Sequence, residues 1–430
     1  MSGRYKMNFG EFNNKFANIY NPILRFEDKS LPLCAAETSI SDFVRYPLLS
    51  FVQEKYILGS VINYTEANFI GSRSLFEVYG LLTELCEELF HCSYADGRTL
   101  TGVNTISTLL MSLFEIGDSI YITSPEYGGH SSMPKICKRL GIHVIEMPYD
   151  IENMDFCYDE INKKIKEKNI KGILVCLSDM LFQPDLSQID LSSGTILIYD
   201  ATQVLGLIAA EKLPNFFDTL PKDLPFILTG STHKTLPGPT NGIVLTNSKD
   251  LMHQLDTKIN PDYLRNIQMH QILSLIFCLE EFSIYGKEYM NAVVESSNAL
   301  AKLLRDKNFD VINRNSVYSN THQIFIHLPH ESTHAFYMEC QLYNITLNER
   351  YRKIYKDSGI RLGVQQIARY GWKNKELEII SEIFEMINQD CLAKTHSHYQ
   401  EISNLIAQLA KDKHLKFRLD ISNFLEFFVR

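Results

Sequence analysis

A single lysine, Lys234, sits between His233 and Thr235 in the stretch ILTGSTHKTLPGPTNGIVLTN, residues 227–247, with an apolar run on either side. A lysine held at the carboxyl end of a strand is partly desolvated, which lowers its pKa and frees an amine able to condense with an aldehyde. An isolated loop lysine is ordinarily a solvated surface group, so that chemistry needs companions. Asp200 closes the apolar run TILIYD, where an ionised carboxylate is costly unless it meets a proton-bearing partner. Further upstream, TLTGVNTISTLL sets Thr101, Gly102, Val103 and Asn104 at the start of a helix, where free N–H groups and the positive dipole end favour a phosphate. A plain helix cap is the competing reading there. His130, in YGGHSSM, either lies flat over an aromatic ring or is a polar loop histidine.

These groups need a scaffold that brings strand ends together. Short β-rich runs recur at 118–123 (DSIYIT), 142–147 (IHVIEM), 172–177 (GILVCL), 195–200 (TILIYD), 226–230 (FILTG) and 242–247 (GIVLTN). Segments with helical spacing, such as 105–114 and 158–168, alternate with several of them. The alternation predicts an α/β fold with a mostly parallel sheet covered on both faces. In such sheets ligands bind beyond the carboxyl ends of the strands, which is where Asp200 and Lys234 fall. From about Tyr289 the pattern changes to a long helix, then a strand in THQIFIHL, then more helix. The expected division is an N-terminal arm over 1–40, a large domain over 41–288, a smaller α+β domain over 289–392 and a helical extension over 393–430. In that extension YQEISNLIAQLAKDKHLKF carries apolar residues three and four apart, a face for core packing or for an oligomer contact.

Composition narrows the function classes. The chain has 430 residues, a hydrophobic share of 45%, a charged share of 22% and a net charge of −9, with no basic stripe. That balance is ordinary for a globular protein and argues against nucleic acid as a partner. The 9 cysteines are scattered without a CxxC pair, which suits a reducing cytoplasm better than a disulfide framework or a metal site. The amino terminus lacks a signal-peptide core, and no apolar run has the length of a membrane span. A cytoplasmic protein without metal or membrane partner is expected.

The order of phosphate turn, histidine, strand-end acid and lysine resembles the serine hydroxymethyltransferases, fold-type I enzymes dependent on pyridoxal 5'-phosphate. THKTLPGPTNG is similar to that family's lysine segment, YDATQVLGLIAA to its aspartate strand and following helix, and YGGH to its histidine loop. SGIRLGVQQIARYGW resembles its carboxylate-binding segment, and AAETSIS its amino-terminal active-site stretch. The resemblance covers residues 31–392. It implies a seven-stranded sheet and a Schiff base between Lys234 and the cofactor. It also implies that Asp200 pairs with the pyridine nitrogen, an arrangement that makes the ring an electron sink, and that His130 stacks on the ring. Thr101, Gly102 and Val103 would hold the phosphate, with Ser178, Gln203, Ser231 and His233 as further cofactor contacts. Arg361 would grip the substrate carboxylate through its planar fork. Tyr56, in EKYILG, matches a tyrosine that the partner subunit contributes, which implies a homodimer with its site at the interface.

Departures from the family pattern bear on the reaction. A proton-handling glutamate is expected two residues after the tyrosine, and this chain has Leu58. Glu66, in NYTEANF, keeps the same spacing from Tyr64 and is the alternative acid. Gln203 stands where a histidine is expected, and Ala36 where a serine precedes Glu37. INPDYLRNIQMH replaces a glycine-rich segment, and Thr240 replaces an arginine. The expected chemistry is therefore retro-aldol or transaldol cleavage at Cα–Cβ of a β-hydroxy amino acid, with His233, Glu37 or Glu66 as base and an aldehyde as possible co-substrate. Folate-dependent hydroxymethyl transfer, another reaction of the same cofactor (decarboxylation, racemisation or transamination) and a non-catalytic binding role remain as alternatives.

Overall fold

The structure is a computed structural model that describes residues 8–62, 69–191 and 194–425. Glu66 and Tyr64 lie outside the described residues. Seven strands form the main sheet: β1 (Tyr94–Asp96), β2 (Ser119–Ile122), β3 (His143–Glu146), β4 (Gly172–Cys176), β5 (Ile196–Asp200), β6 (Phe226–Ser231) and β7 (Gly242–Thr246). Their spatial order is β1-β7-β6-β5-β4-β2-β3. Pairs β6/β5, β5/β4, β4/β2 and β2/β3 are parallel, whereas β7 runs antiparallel to β6 and β1. The expected α/β class with a mostly parallel seven-stranded sheet is what the chain builds. Residues of β4, β6 and β7 are all buried, as continuous apolar runs in a sheet covered on both faces must be.

Helix Gly102–Leu113 lies on one face, its Ile106, Leu109 and Leu110 packing with Ile198, Ile227 and Val244. The other face meets Leu275 and Leu279 of the helix Met269–Asp306. That helix, expected from about Tyr289, already starts at Met269. Its first half is buried on several sides, so its apolar residues do not show the one-sided stripe that periodicity detects. It also runs through residue 288 and connects the large sheet to a smaller one. The smaller sheet contains β8 (Asp310–Val311), β9 (Gln323–His327), β10 (Asn348–Arg350) and β11 (Gly359–Gly363), antiparallel in the order β8-β9-β11-β10. Helices Tyr399–Ala410 and Ile421–Leu425 lie within the range expected to be a helical extension. Among the described residues no helix is long and apolar enough to cross a membrane.

Candidate active site at the strand ends

Parallel pairing places the carboxyl ends of β2, β4, β5 and β6 along one edge. Cys176 of β4 is in register with Asp200 of β5, and Asp200 with Thr229 of β6. Lys234 follows β6 by a short turn that returns the chain into β7. The Thr38 hydroxyl donates to the Lys234 carbonyl at 2.5 Å and ties this turn to the amino-terminal stretch.

Asp200 is 7% exposed. One carboxylate oxygen accepts from the Thr202 amide at 2.9 Å, and the other lies 3.1 Å from Cys176 Sγ. Neither partner is a cation, so a buried carboxyl group stands without an ion pair among the described residues. Burial pushes the Lys234 amine below the ordinary lysine range; Asp200 pulls it partly back, while Arg361 adds to the depression. His130 is lowered by burial, against the opposing pull of Asp200. Its amide donates to Cys176 O at 2.9 Å, so the histidine loop is fastened to β4. That loop passes so tightly over the strand that a Cβ on Gly128, which has φ +97°, would lie 2.2 Å from the Asp179 carbonyl oxygen.

The end expected to take the phosphate is built from two elements. Thr101 caps the helix, its hydroxyl accepting from the Asn104 amide, and the Gly102 amide donates to Ser231 Oγ at 2.9 Å. Ser231 is itself oriented by its amide donating to Thr202 Oγ1 at 2.7 Å. A Cβ on Gly102 would meet Ser231 Oγ at 2.5 Å. Val103 is exposed at the same helix start. His233 is lowered by burial and then by Lys234, and its Nδ1 is buried without a hydrogen-bond partner among the described residues.

Arg361 lies on β11, opposite Asn348 of β10. Its Nη1 donates to Ser178 O at 2.8 Å and to Asp179 at 3.0 Å, and its Nη2 to Asn348 Oδ1 at 2.6 Å. Gln323 Nε2 bridges Ser178 O at 3.1 Å and Gln203 Oε1 at 3.0 Å, so Gln203 is fixed by an amide partner. Glu37 is exposed, beside the buried Cys34 thiol, and the charge of Arg361 also reaches that thiol. Tyr56 is 45% exposed with its ring on Phe69 at 4.7 Å, and it makes no hydrogen bond to the Lys234 group among the described residues.

Lys234, Asp200, His130, Ser178, Gln203, Gly102 and Ser231 thus belong to one continuous set of strand ends. Cys176, Thr202, Asp179 and Gln323 were missed by the sequence reading. Asp179 carries the signal that exposed Asp200, an acid just past an apolar strand, and the same reasoning would have found it. These residues fit pyridoxal phosphate: an unpaired buried carboxylate for a protonated ring nitrogen, a depressed amine for its aldehyde, and a helix start whose cradle a methyl group would fill.

Comparison with known proteins agrees. The serine hydroxymethyltransferase family profile matches residues 11–384. A serine hydroxymethyltransferase from Saccharolobus solfataricus is 30% identical over 371 residues, 84% of each chain. One from Methanopyrus kandleri is 31% identical over 367 residues, 83% of this chain and 84% of that one. A crystal structure of L-threonine transaldolase from Pseudomonas fluorescens in its internal aldimine state superposes with TM-score 0.85 at 20% identity, covering 97% of both chains. The chain belongs to the serine hydroxymethyltransferase family and is an enzyme dependent on pyridoxal 5'-phosphate.

Proposed function

We propose that this enzyme cleaves or exchanges the Cα–Cβ bond of a β-hydroxy amino acid by retro-aldol or transaldol chemistry, without folate. The observation that carries the reading is Leu58. Its backbone is clamped on both sides: the Ile57 amide donates to Asn266 Oδ1 at 3.2 Å, the Gly59 amide to Asn260 Oδ1 at 2.8 Å, and Arg98 Nη1 to Gly59 O at 2.8 Å. A side chain that cannot carry a proton therefore occupies a fixed place where the family pattern expects an acid. Folate-linked transfer depends on that acid; retro-aldol cleavage needs only a base for the hydroxyl.

When bound, pyridoxal phosphate supplies an electron sink for the electrons of the broken Cα bond. Lys234 would hold it covalently, Asp200 would pair with its ring nitrogen, and His130 would cover its face. Gly102, Val103 and Ser231 would receive the phosphate, with Thr101 capping the helix that presents it. Arg361, already oriented by Asp179 and Asn348, takes the α-carboxylate. Burial and Lys234 lower the His233 pKa and so favour its neutral form, and its Nδ1 has no hydrogen-bond partner among the described residues, so it is the first candidate to accept the substrate hydroxyl proton; Glu37 is the second. A partner copy of the chain supplies Tyr56, whose exposed ring suits an interface.

The test is an amino-acid panel of L-threonine, L-allo-threonine and L-serine, with and without tetrahydrofolate, reading aldehyde release and product mass. Aldehyde released without folate is the expected result. Serine consumption that requires tetrahydrofolate, or loss of carbon dioxide or exchange of the amino group instead of aldehyde release, overturns the reading.

A further inference from the structure

Three arginines converge on one buried carboxylate beside the substrate site. Asp179, whose side chain is fully buried, receives Arg361 Nη1 at 3.0 Å, Arg350 Nε at 3.1 Å and Arg352 Nη1 at 2.6 Å. Burial alone would raise Asp179, but the three guanidiniums outweigh it and hold the carboxyl below its ordinary range. The charges do not balance: three cations face one anion, an excess of two. One of these is the share of Arg361, which awaits the α-carboxylate. The other has no acidic counterpart among the described residues. Glu349, the nearest acid on β10, instead faces His334 and Tyr351.

The geometry places this excess beside Arg361, the candidate carboxylate anchor. Asn348 and Arg350 alternate onto the same face of β10, and Asn348 is bonded to Arg361, so Arg350 lies on the face that carries the carboxylate anchor. Arg352 also donates from Nη1 to Gly129 O at 3.1 Å, one residue before His130, so it flanks the cofactor side. The Arg361 side chain is only 5% exposed, whereas those of Arg350 and Arg352 are 22% and 16% exposed, open enough to meet a solute. Arg350 Nη2 and Arg352 Nε and Nη2 make no hydrogen bond among the described residues, and Arg361 Nε is buried without a partner. Lys353 adds a further cation 6.0 Å from the Tyr127 ring. An uncompensated charge in a mostly buried cluster is costly, and the free donors of Arg350 and Arg352 are open to an anionic solute that would offset it.

We propose that Arg350 and Arg352 bind a carboxylate or phosphate carried on the Cβ substituent of the substrate. This rests on the Cα–Cβ reading above. The aldehyde and the β-hydroxy amino acid are two sides of one bond, so the anion belongs to both. In the addition direction, glycine loses a Cα proton, Cα–Cβ forms to the aldehyde carbon, and the carbonyl oxygen ends as a hydroxyl; no oxidant or further reactant is needed.

The test is glycine addition by the holoenzyme to matched aldehydes, glyoxylate and glycolaldehyde phosphate against acetaldehyde and glycolaldehyde, read as kcat/KM with products identified by mass. The anionic aldehydes should be preferred by about tenfold to hundredfold, the scale of one charge-assisted contact. Which of the two anions is favoured separates carboxylate from phosphate. Arg350→Gln and Arg352→Gln should each remove most of that preference while leaving the neutral aldehydes and the glycine-induced absorbance change nearly unaltered. Should the glutamine variants fold poorly, Arg350→Lys and Arg352→Lys keep the charge and should retain part of the preference. Equal use of neutral and anionic aldehydes, or a preference that survives both glutamine substitutions, overturns the proposal alone. No addition to any aldehyde overturns the Cα–Cβ reading and this proposal together.

Discussion

Replacing Asp179 by asparagine keeps the shape of the side chain and removes the charge that three guanidiniums share. At the observed separations of 2.6 to 3.1 Å, each pair carries about 5–6 kcal/mol of attraction at an effective dielectric of about 20, before desolvation is subtracted. Desolvation of so many buried charges cancels most of that sum. Removing one partner of a buried pair typically costs about 3–5 kcal/mol, because the other charge is left uncompensated. With an unfolding entropy of about 2.1 cal/mol/K per residue, 430 residues give about 0.9 kcal/mol/K, so Asp179→Asn should lower Tm by about 3–6 °C. Differential scanning calorimetry of the holoenzyme, with cofactor in excess, measures it. The folded Asp179 pKa is depressed, so its contribution is present above the ordinary carboxylate range, about 3.9, and is lost as pH falls through the lower folded value. The variant should therefore lack part of the acid limb of the wild-type stability curve. A Tm within about 1 °C of wild type at neutral pH, the behaviour of a solvated surface pair, would refute the buried charge cluster.

Gly102→Ala tests the phosphate cradle. The added Cβ would press on Ser231 Oγ at 2.5 Å and lie 3.5 Å from Thr202 Oγ1, so pyridoxal phosphate should bind about tenfold more weakly, about 1.4 kcal/mol. Spectroscopic titration of the apoprotein measures this, and unchanged affinity would move the phosphate elsewhere. Burial lowers the Lys234 pKa, so the neutral amine should become available below the pH at which an ordinary lysine, pKa about 10.4, deprotonates. The rate of cofactor uptake by apoprotein should rise with pH through a midpoint below that value; a midpoint at or above it would contradict the buried amine.

The parts of this site that were legible in the sequence are those where one residue type violates its surroundings. Asp200 ends an apolar strand and Lys234 breaks the run between two others, and both lie at strand ends because parallel pairing puts them there. Most strands of the large domain were readable too, since β4 to β7 are largely apolar runs, but β1 (Tyr94–Asp96) was not, because three residues are too few to show a period. The start of the helix Met269–Asp306 was not, because a helix buried on several sides loses its stripe. The arginine cluster was hidden for a different reason. Arg350 and Arg352 are remote in sequence from Asp179, and only the crossing of β10 over the loop after β4 joins them. Charge balance is a property of space, so NERYR in the sequence reads as an ordinary polar segment.

The central claim is that Lys234 carries the cofactor while Asp200 faces its ring. Borohydride reduction of the holoenzyme, followed by peptide mapping, tests it most directly. A pyridoxyl group on Lys234, absent from Lys234→Ala, is the expected result. A pyridoxyl group on any other lysine, or an undiminished reducible adduct in Lys234→Ala, would contradict it.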